Sequence, residues 1–255
     1  MRFNLGKPED YYSQRNNEYS KTIKGKKGIT TANSSVMCNF TVLCEALDLS
    51  NWRIPRNGKY RQAEDNLMDF TINSCLKSNS WFAKKMPVMW KAWCVDGAEF
   101  NSHSNKWEEP YWPNEIHEVI EHYVNEWLGC YNADKFTTNC LIKDIVNQIY
   151  TNKIPVPISV KFGSLNHIIL LTGFENNINE NDFEESLNKG YPIIASFIYD
   201  DPYGPFDWNE NKYLPNRGSG NDQILSYDKF IECAKPLGDK NSKWAHIITK
   251  PASLV

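Results

Sequence analysis

PVPISVKFGSLNHIILLTGF, Pro155–Phe174, is where the chain changes its period. Apolar and β-branched residues run here in two short stretches broken by the turn-like GSLN, which reads as two strands. Downstream, PIIASFIYD (Pro192–Asp200) reads as a third strand, SYDKFIECAK (Ser226–Lys235) as a short helix and WAHIITK (Trp244–Lys250) as a closing strand. Upstream the period is helical. SSVMCNFTVLCEALDL starts at Ser34, with Ser34 or Ser35 as N-cap and Val36, Phe40, Leu43 and Leu47 at helical spacing. Further helices are expected over Arg61–Ser78, from Pro113 to Gly129, and from about Asn139 to Thr151. Proline in the first turn and glycine at the end mark the middle one of these three. Asn79–Trp112 is rich in Trp and lacks a clear period, so it reads as an irregular packed insertion. Helices first and strands later predict an α+β fold with segregated layers. No repeat and no Pro/Gly/Ser linker divides it, so one domain over residues 1–255 is expected.

The 255 residues are long enough for a substantial core, and 41% apolar and 13% aromatic residues exclude a disordered chain. A mean hydropathy of -0.58 points to long polar loops. Net charge is -3, so no global basic field draws the protein to nucleic acid or to an anionic membrane, and neither is expected as a partner. The basic run KTIKGKKG (Lys21–Gly28) reads as a solvated loop. No stretch approaches the roughly 18 apolar residues of a membrane span, and MRFNLGKPEDYY lacks the apolar core of a signal peptide. Seven cysteines at irregular spacing argue against a disulfide framework and for synthesis in a reducing cytoplasm.

Three residue types fall where acyl-transfer chemistry needs them. Cys38 stands near the start of a predicted helix, where free N–H groups and the macrodipole favour a thiolate. His167 begins a strand directly after a turn, so its imidazole can face a cleft while the strand anchors it. Asp201 ends another strand in IYDDPYG, where Pro202 and Gly204 force a turn, and a carboxylate there can orient the imidazole. Asp200 competes with it, because strand alternation lets only one of the pair face His167.

The blocks YYSQRNN (Tyr11–Asn17), CNFTVLCEALDL (Cys38–Leu49), NHIILLTGF (Asn166–Phe174) and DDPYG (Asp200–Gly204) together resemble the papain-like family of bacteriocin-processing peptidases. They are most similar to its phage- and prophage-borne cell-wall relatives, as is the late segment from Ser226 to Lys250. The resemblance implies a papain-like cysteine peptidase fold, with a nucleophile helix in an N-terminal helical part followed by a mainly antiparallel sheet. It implies Cys38 as nucleophile, His167 as general base and Asp201 as orienting carboxylate. Gln14 is implied as an oxyanion-hole donor beside the Cys38 N–H. Asn33, shortly before Cys38, is the alternative donor, and Asn166 stands where the family has glycine, next to the substrate. The middle, residues 51–141, has no counterpart in the family and is expected to be an insertion that shapes the cleft.

The remaining candidates carry blander readings. Cys44, Cys75, Cys94, Cys130, Cys140 and Cys233 read as small buried hydrophobes. His117 and His122 are five residues apart, which turns them to different faces of a helix, so a surface helix is expected rather than a zinc site. His246 reads as a satisfied strand residue. Trp107, Trp112 and Trp208 are candidates to line a groove for sugar rings or a peptide. With neither a CxxC pair nor a calcium loop, no metal or cofactor is expected.

The expected activity is cysteine-dependent hydrolysis of an amide in peptidoglycan, by an endolysin-like endopeptidase or amidase. Such a bacteriophage-type enzyme is made in the cytoplasm and delivered to the cell wall. A protease or deamidase acting on proteins, and a catalytically silent binding domain, stay open as alternatives.

Overall fold

The computed structural model describes residues 1–25, 28–32, 37–56, 58–77, 99–101, 106–108, 114–163, 165–214, 219–234 and 243–252. In chain order its elements are β1 (Arg2–Asn4), β2 (Lys21–Gly25), β3 (Gly28–Ala32), α1 (Cys38–Leu49), α2 (Ala63–Lys77), β4 (Glu99–Asn101), β5 (Lys106–Glu108) and α3 (Asn114–Leu128). There follow β6 (Asp134–Cys140), α4 (Ile142–Tyr150), β7 (Val156–Phe162), β8 (Leu165–Glu175), α5 (Glu180–Asn188) and β9 (Ser196–Asp200). The chain closes with β10 (Phe206–Asp207), β11 (Lys212–Tyr213), β12 (Gln223–Ser226), α6 (Tyr227–Cys233) and β13 (Lys243–Ile248).

The fold is mixed α+β around one antiparallel sheet in the order β12-β9-β8-β7-β13-β6, to which β1 adds by pairing with β8. β8 is central. Its Ile168 and Leu170 point into a core shared with Phe40, Leu43 and Leu47 of α1, Leu67 and Ile72 of α2, and Val119 and Val124 of α3. Its Ile169 and Leu171 point the other way, against Ile145 and Ile149 of α4, Phe183 of α5 and Phe230 of α6. A strand buried on both faces carries a continuous apolar run, which is what HIILL is.

The layers are therefore less segregated than expected. Helices cover both faces of the sheet, and the N-terminal β1 returns to its centre. Gly173 permits this: a Cβ there would lie 2.1 Å from the Phe3 carbonyl oxygen, so only glycine lets β1 approach.

Other expectations need correction. Helix α1 starts at Cys38 with Met37 as its cap, and the expected caps Ser34 and Ser35 lie outside the described residues. The stretch DKFTTNC is strand β6, which takes Asn139 and Cys140 out of the following helix. The expected insertion over 51–141 supplies α2 and α3 to the core that holds α1, and β6 to the edge of the main sheet. Of the Trp-rich stretch, only the β4–β5 hairpin lies within the described residues. Among the described residues no helix is long and apolar enough to cross a membrane.

Candidate active site

Cys38 is the first residue of α1, and the first bond of that helix runs from the Thr41 N–H to the Met37 carbonyl. The Cys38, Asn39 and Phe40 amides precede this ladder, so the positive end of the helix faces the thiol. Met37, Phe40, Val42 and Leu43 are fully buried and fix the helix in place. Cys38 itself is half-buried against that core.

His167 comes from β8, opposite Val160 of β7. Its ring packs edge-on against Tyr213 at 5.8 Å and near Phe162 at 6.3 Å. Nε2 of His167 lies 2.8 Å from Oδ1 of the fully buried Asp201. That leaves Nδ1 as the ring nitrogen open to Cys38, the side chain that acts on the ring together with Asp201. Burial alone pushes the His167 pKa down. The charge and hydrogen bond of Asp201, joined by Cys38, outweigh burial and raise it from 6.5 to about 10. A protonated imidazole beside sulfur, oriented by a carboxylate, is the arrangement in which a cysteine attacks a carbonyl and the histidine then delivers a proton.

Asp201, not Asp200, faces His167. Its Oδ1 also accepts the Tyr203 N–H at 2.8 Å, and its Oδ2 accepts the Tyr213 hydroxyl at 3.0 Å. Its backbone is held as firmly: the N–H donates to Gly220 O at 2.9 Å and the carbonyl accepts the Tyr11 hydroxyl at 2.7 Å. Asp200 turns away and accepts the Asp222 N–H at 2.6 Å.

Gln14 is 2% exposed in a short 3-10 turn, Gln14–Asn16, that bridges the two halves of the site. Its N–H donates to the Pro202 carbonyl at 2.9 Å. Three residues on, the Asn17 amide donates to Thr41 Oγ1 at 3.2 Å on α1. Arg15 donates from Nε to the Tyr203 carbonyl, and its guanidinium lies 4.6 Å from the Tyr203 ring centre. The segment of Gln14 is thus tied to the DPYG turn through Pro202 and to the nucleophile's helix through Asn17.

Comparison with family models, curated proteins and solved structures finds no match. The functional reading rests on these residues alone.

The other expected residues are placed differently. Asn33 and Trp112 lie outside the described residues, as does the side chain of Asn166, whose backbone pairs with Lys161. Trp208 packs with Phe162 at 4.8 Å and Phe206 at 4.9 Å. It is half-buried, packed on the core behind His167. Trp107 lies in β5, and its side chain is outside the described residues.

His117 is a correction. It is buried, not on a surface, with Nδ1 3.0 Å from Nε2 of His246, whose Nδ1 lies 2.7 Å from Oδ2 of the buried Asp134. Burial, then the neighbouring His246, lowers the His117 pKa to about 3. His246 is a bonded strand residue as expected. Cys44, Cys140 and Cys233 are buried, Cys130 is half-buried, and Cys94 and the side chain of Cys75 are outside the described residues.

Tyr11, Tyr213 and Gly220 were not legible as site residues. Each acts through contacts with Asp201 that no local pattern announces. Gly220 gives a test. A Cβ there would lie 2.0 Å from the Asp201 carbonyl oxygen and 2.9 Å from the Tyr11 hydroxyl. Gly220→Ala is therefore expected to push the 220 segment off Asp201, at a cost of about 1–3 kcal/mol. Urea unfolding measures that cost, and slower alkylation of Cys38 in the folded variant measures the disturbance of the site.

Proposed function

We propose that this chain is a papain-like cysteine amide hydrolase that cuts bacterial peptidoglycan. The observation that carries the reaction type is the buried His167–Asp201 pair, 2.8 Å apart, beside a cysteine at a helix N-terminus. The resemblance of the blocks around Gln14, Cys38, His167 and Asp201 to phage-type cell-wall enzymes supports the substrate.

In the proposed reaction the thiol proton already rests on His167 as an imidazolium, and the sulfur it leaves behind attacks the amide carbonyl carbon. The oxyanion accepts the Cys38 N–H and the Gln14 side-chain amide, each donor of this kind being worth about 10²–10³ in rate. The imidazolium then protonates the leaving nitrogen as the C–N bond breaks, leaving a thioester. Water, deprotonated by His167, attacks the thioester and frees the cysteine. Asp201 holds the ring so that Nδ1 stays aimed at sulfur throughout. In this reading the enzyme is encoded by a phage or prophage and reaches the wall from the cytoplasm that makes it.

The test is mass spectrometry of fragments released from purified peptidoglycans of several bacterial types, by the wild type and by Cys38→Ala. New amine or sugar ends from the wild type alone are expected, and their structure names the bond. Absence of release from every wall, with Cys38 still readily alkylated, would move the substrate to a protein. Absence of alkylation as well would remove the catalytic reading.

A further inference from the structure

Glu45 lies on α1 two turns after Cys38, on the same stripe of the helix, and is 1% exposed. Both of its carboxyl oxygens are buried and meet no hydrogen-bond donor among the described residues. Asp200 at the end of β9 pairs with Leu170, on the face of the sheet that α1 covers, and it surrounds Glu45 together with Glu64 of α2, the backbone of Tyr12 and the phenol of Tyr11. Asp200 is itself 1% exposed; it accepts the Asp222 N–H, and Asp222 and Asp10 are the other acids near it. None of these neighbours is a cation.

An isolated ionised carboxylate in such a place costs far more than a neutral acid, and two facing carboxylates cannot both be ionised. One proton between them turns repulsion into a hydrogen bond. Asp200 accepts a backbone N–H at 2.6 Å, whereas no donor reaches either Glu45 oxygen at hydrogen-bonding geometry among the described residues and only the Tyr12 backbone lies near, so the proton belongs on Glu45.

We propose that Glu45 and Asp200 share one proton, and that this acid–carboxylate bond ties the helix carrying Cys38 to the strand end carrying Asp201. Glu45 is then a positioning residue, acting on the reaction through the separation of Cys38 from the His167–Asp201 pair. This deepens the proposed hydrolase reading, and its catalytic consequence rests on that reading.

Burial, and then the charge of Asp200, raise Glu45 well above the carboxylate range, while burial raises Asp200 to about 6 and Glu64 to about 7. The folded chain therefore binds more protons here than the unfolded chain. The stabilisation is complete below the ordinary carboxylate pKa and is lost as pH rises through the folded values.

The experiment uses the full chain and needs no substrate. Infrared difference spectra at about pH 7 are recorded for wild type, Glu45→Gln and Glu64→Gln, and Tm is followed against pH. Alkylation of Cys38 by iodoacetamide is timed in Glu45→Gln and Glu45→Ala. The wild type is expected to show a protonated carboxylic-acid carbonyl band that Glu45→Gln removes and Glu64→Gln leaves. Glu45→Gln, which still donates to Asp200, is expected to flatten the alkaline fall of Tm and keep near-normal alkylation. Glu45→Ala is expected to slow alkylation by about 10–10²-fold, the range for a misplaced reacting group.

A wild-type spectrum without a band assigned to Glu45 would overturn the shared proton. Equal alkylation in Glu45→Ala and wild type would overturn the positioning role. Failure of the wall digest alone would leave both findings standing and remove only the substrate.

Discussion

Cys38→Ala is expected to lower amide hydrolysis by about 10⁴-fold or more while leaving the fold intact. The rate loss is that of an enzyme deprived of its nucleophile, in which only binding and the oxyanion donors remain. The second thiol of the same helix cannot take over. Cys44 is buried two turns along the same helix and its pKa is raised well above the thiol range, by burial and then by Glu64, Asp48 and Asp65. The stability change is expected to stay within about 1 kcal/mol, because Cys38 is half-buried and nothing larger than sulfur is removed. Activity on the released-fragment assay and Tm measured together check both parts. Wild-type alkylation at about pH 6, with Cys38 labelled ahead of the buried thiols, is the companion result.

Asp201→Ala is expected to damage both stability and rate. The substitution leaves three donors without an acceptor in a buried place: His167 Nε2, the Tyr203 N–H and the Tyr213 hydroxyl. Removing one partner of a buried ion pair costs about 3–5 kcal/mol, a large share of the about 5–15 kcal/mol that keeps a domain folded.

The pH dependence has a definite sign. In the wild type the folded His167 pKa stands at about 10 against the ordinary 6.5. The stabilisation from that shift is complete below 6.5 and lost as pH rises through about 10. The Tm deficit of Asp201→Ala is therefore expected to be larger at about pH 6 than at about pH 10. Asp201→Asn, which keeps an acceptor oxygen but not the charge, is expected to retain more stability than Ala. It would also return His167 toward its ordinary range, shown by NMR titration of the imidazole. A deficit that is the same at both pH values would mean that the carboxylate is holding the DPYG turn through Tyr203 and not the charge on His167.

The parts of the site that could be read beforehand are those whose reason is local. Cys38 begins a stretch of helical period, HIILLTGF is apolar enough to be a strand, and Pro202 and Gly204 end β9 wherever it packs. Glycine at 204 adopts φ +105, with the Arg15 guanidinium 3.4 Å from where a side chain would begin, so the turn was legible from composition.

The misreadings have the opposite cause. DKFTTNC is polar at its centre and becomes a strand because β13 lies beside it, pairing Phe136 with His246 and Thr137 with Ala245. His117 looked exposed because its spacing from His122 excludes a shared zinc and names no other partner, yet its partner is on β13 and its ring stacks on Phe136 at 4.7 Å. Helix α1 enters through Met37, whose fully buried side chain anchors the nucleophile end.

By itself the sequence determined the identity and order of the chemical groups: a cysteine on a helix, a histidine on a strand, an acid at a turn. These follow from residue types and their periods, which act over a few positions. Tertiary structure decided which groups meet. It chose Asp201 over Asp200, tied Gln14 to Pro202 beside it, and placed Tyr213 on its carboxylate and Tyr11 and Gly220 on its backbone. It also set Glu45 against Asp200 where neither meets a cation. Burial and distance between remote residues govern charge and proton position, and neither is a property of a neighbourhood in sequence.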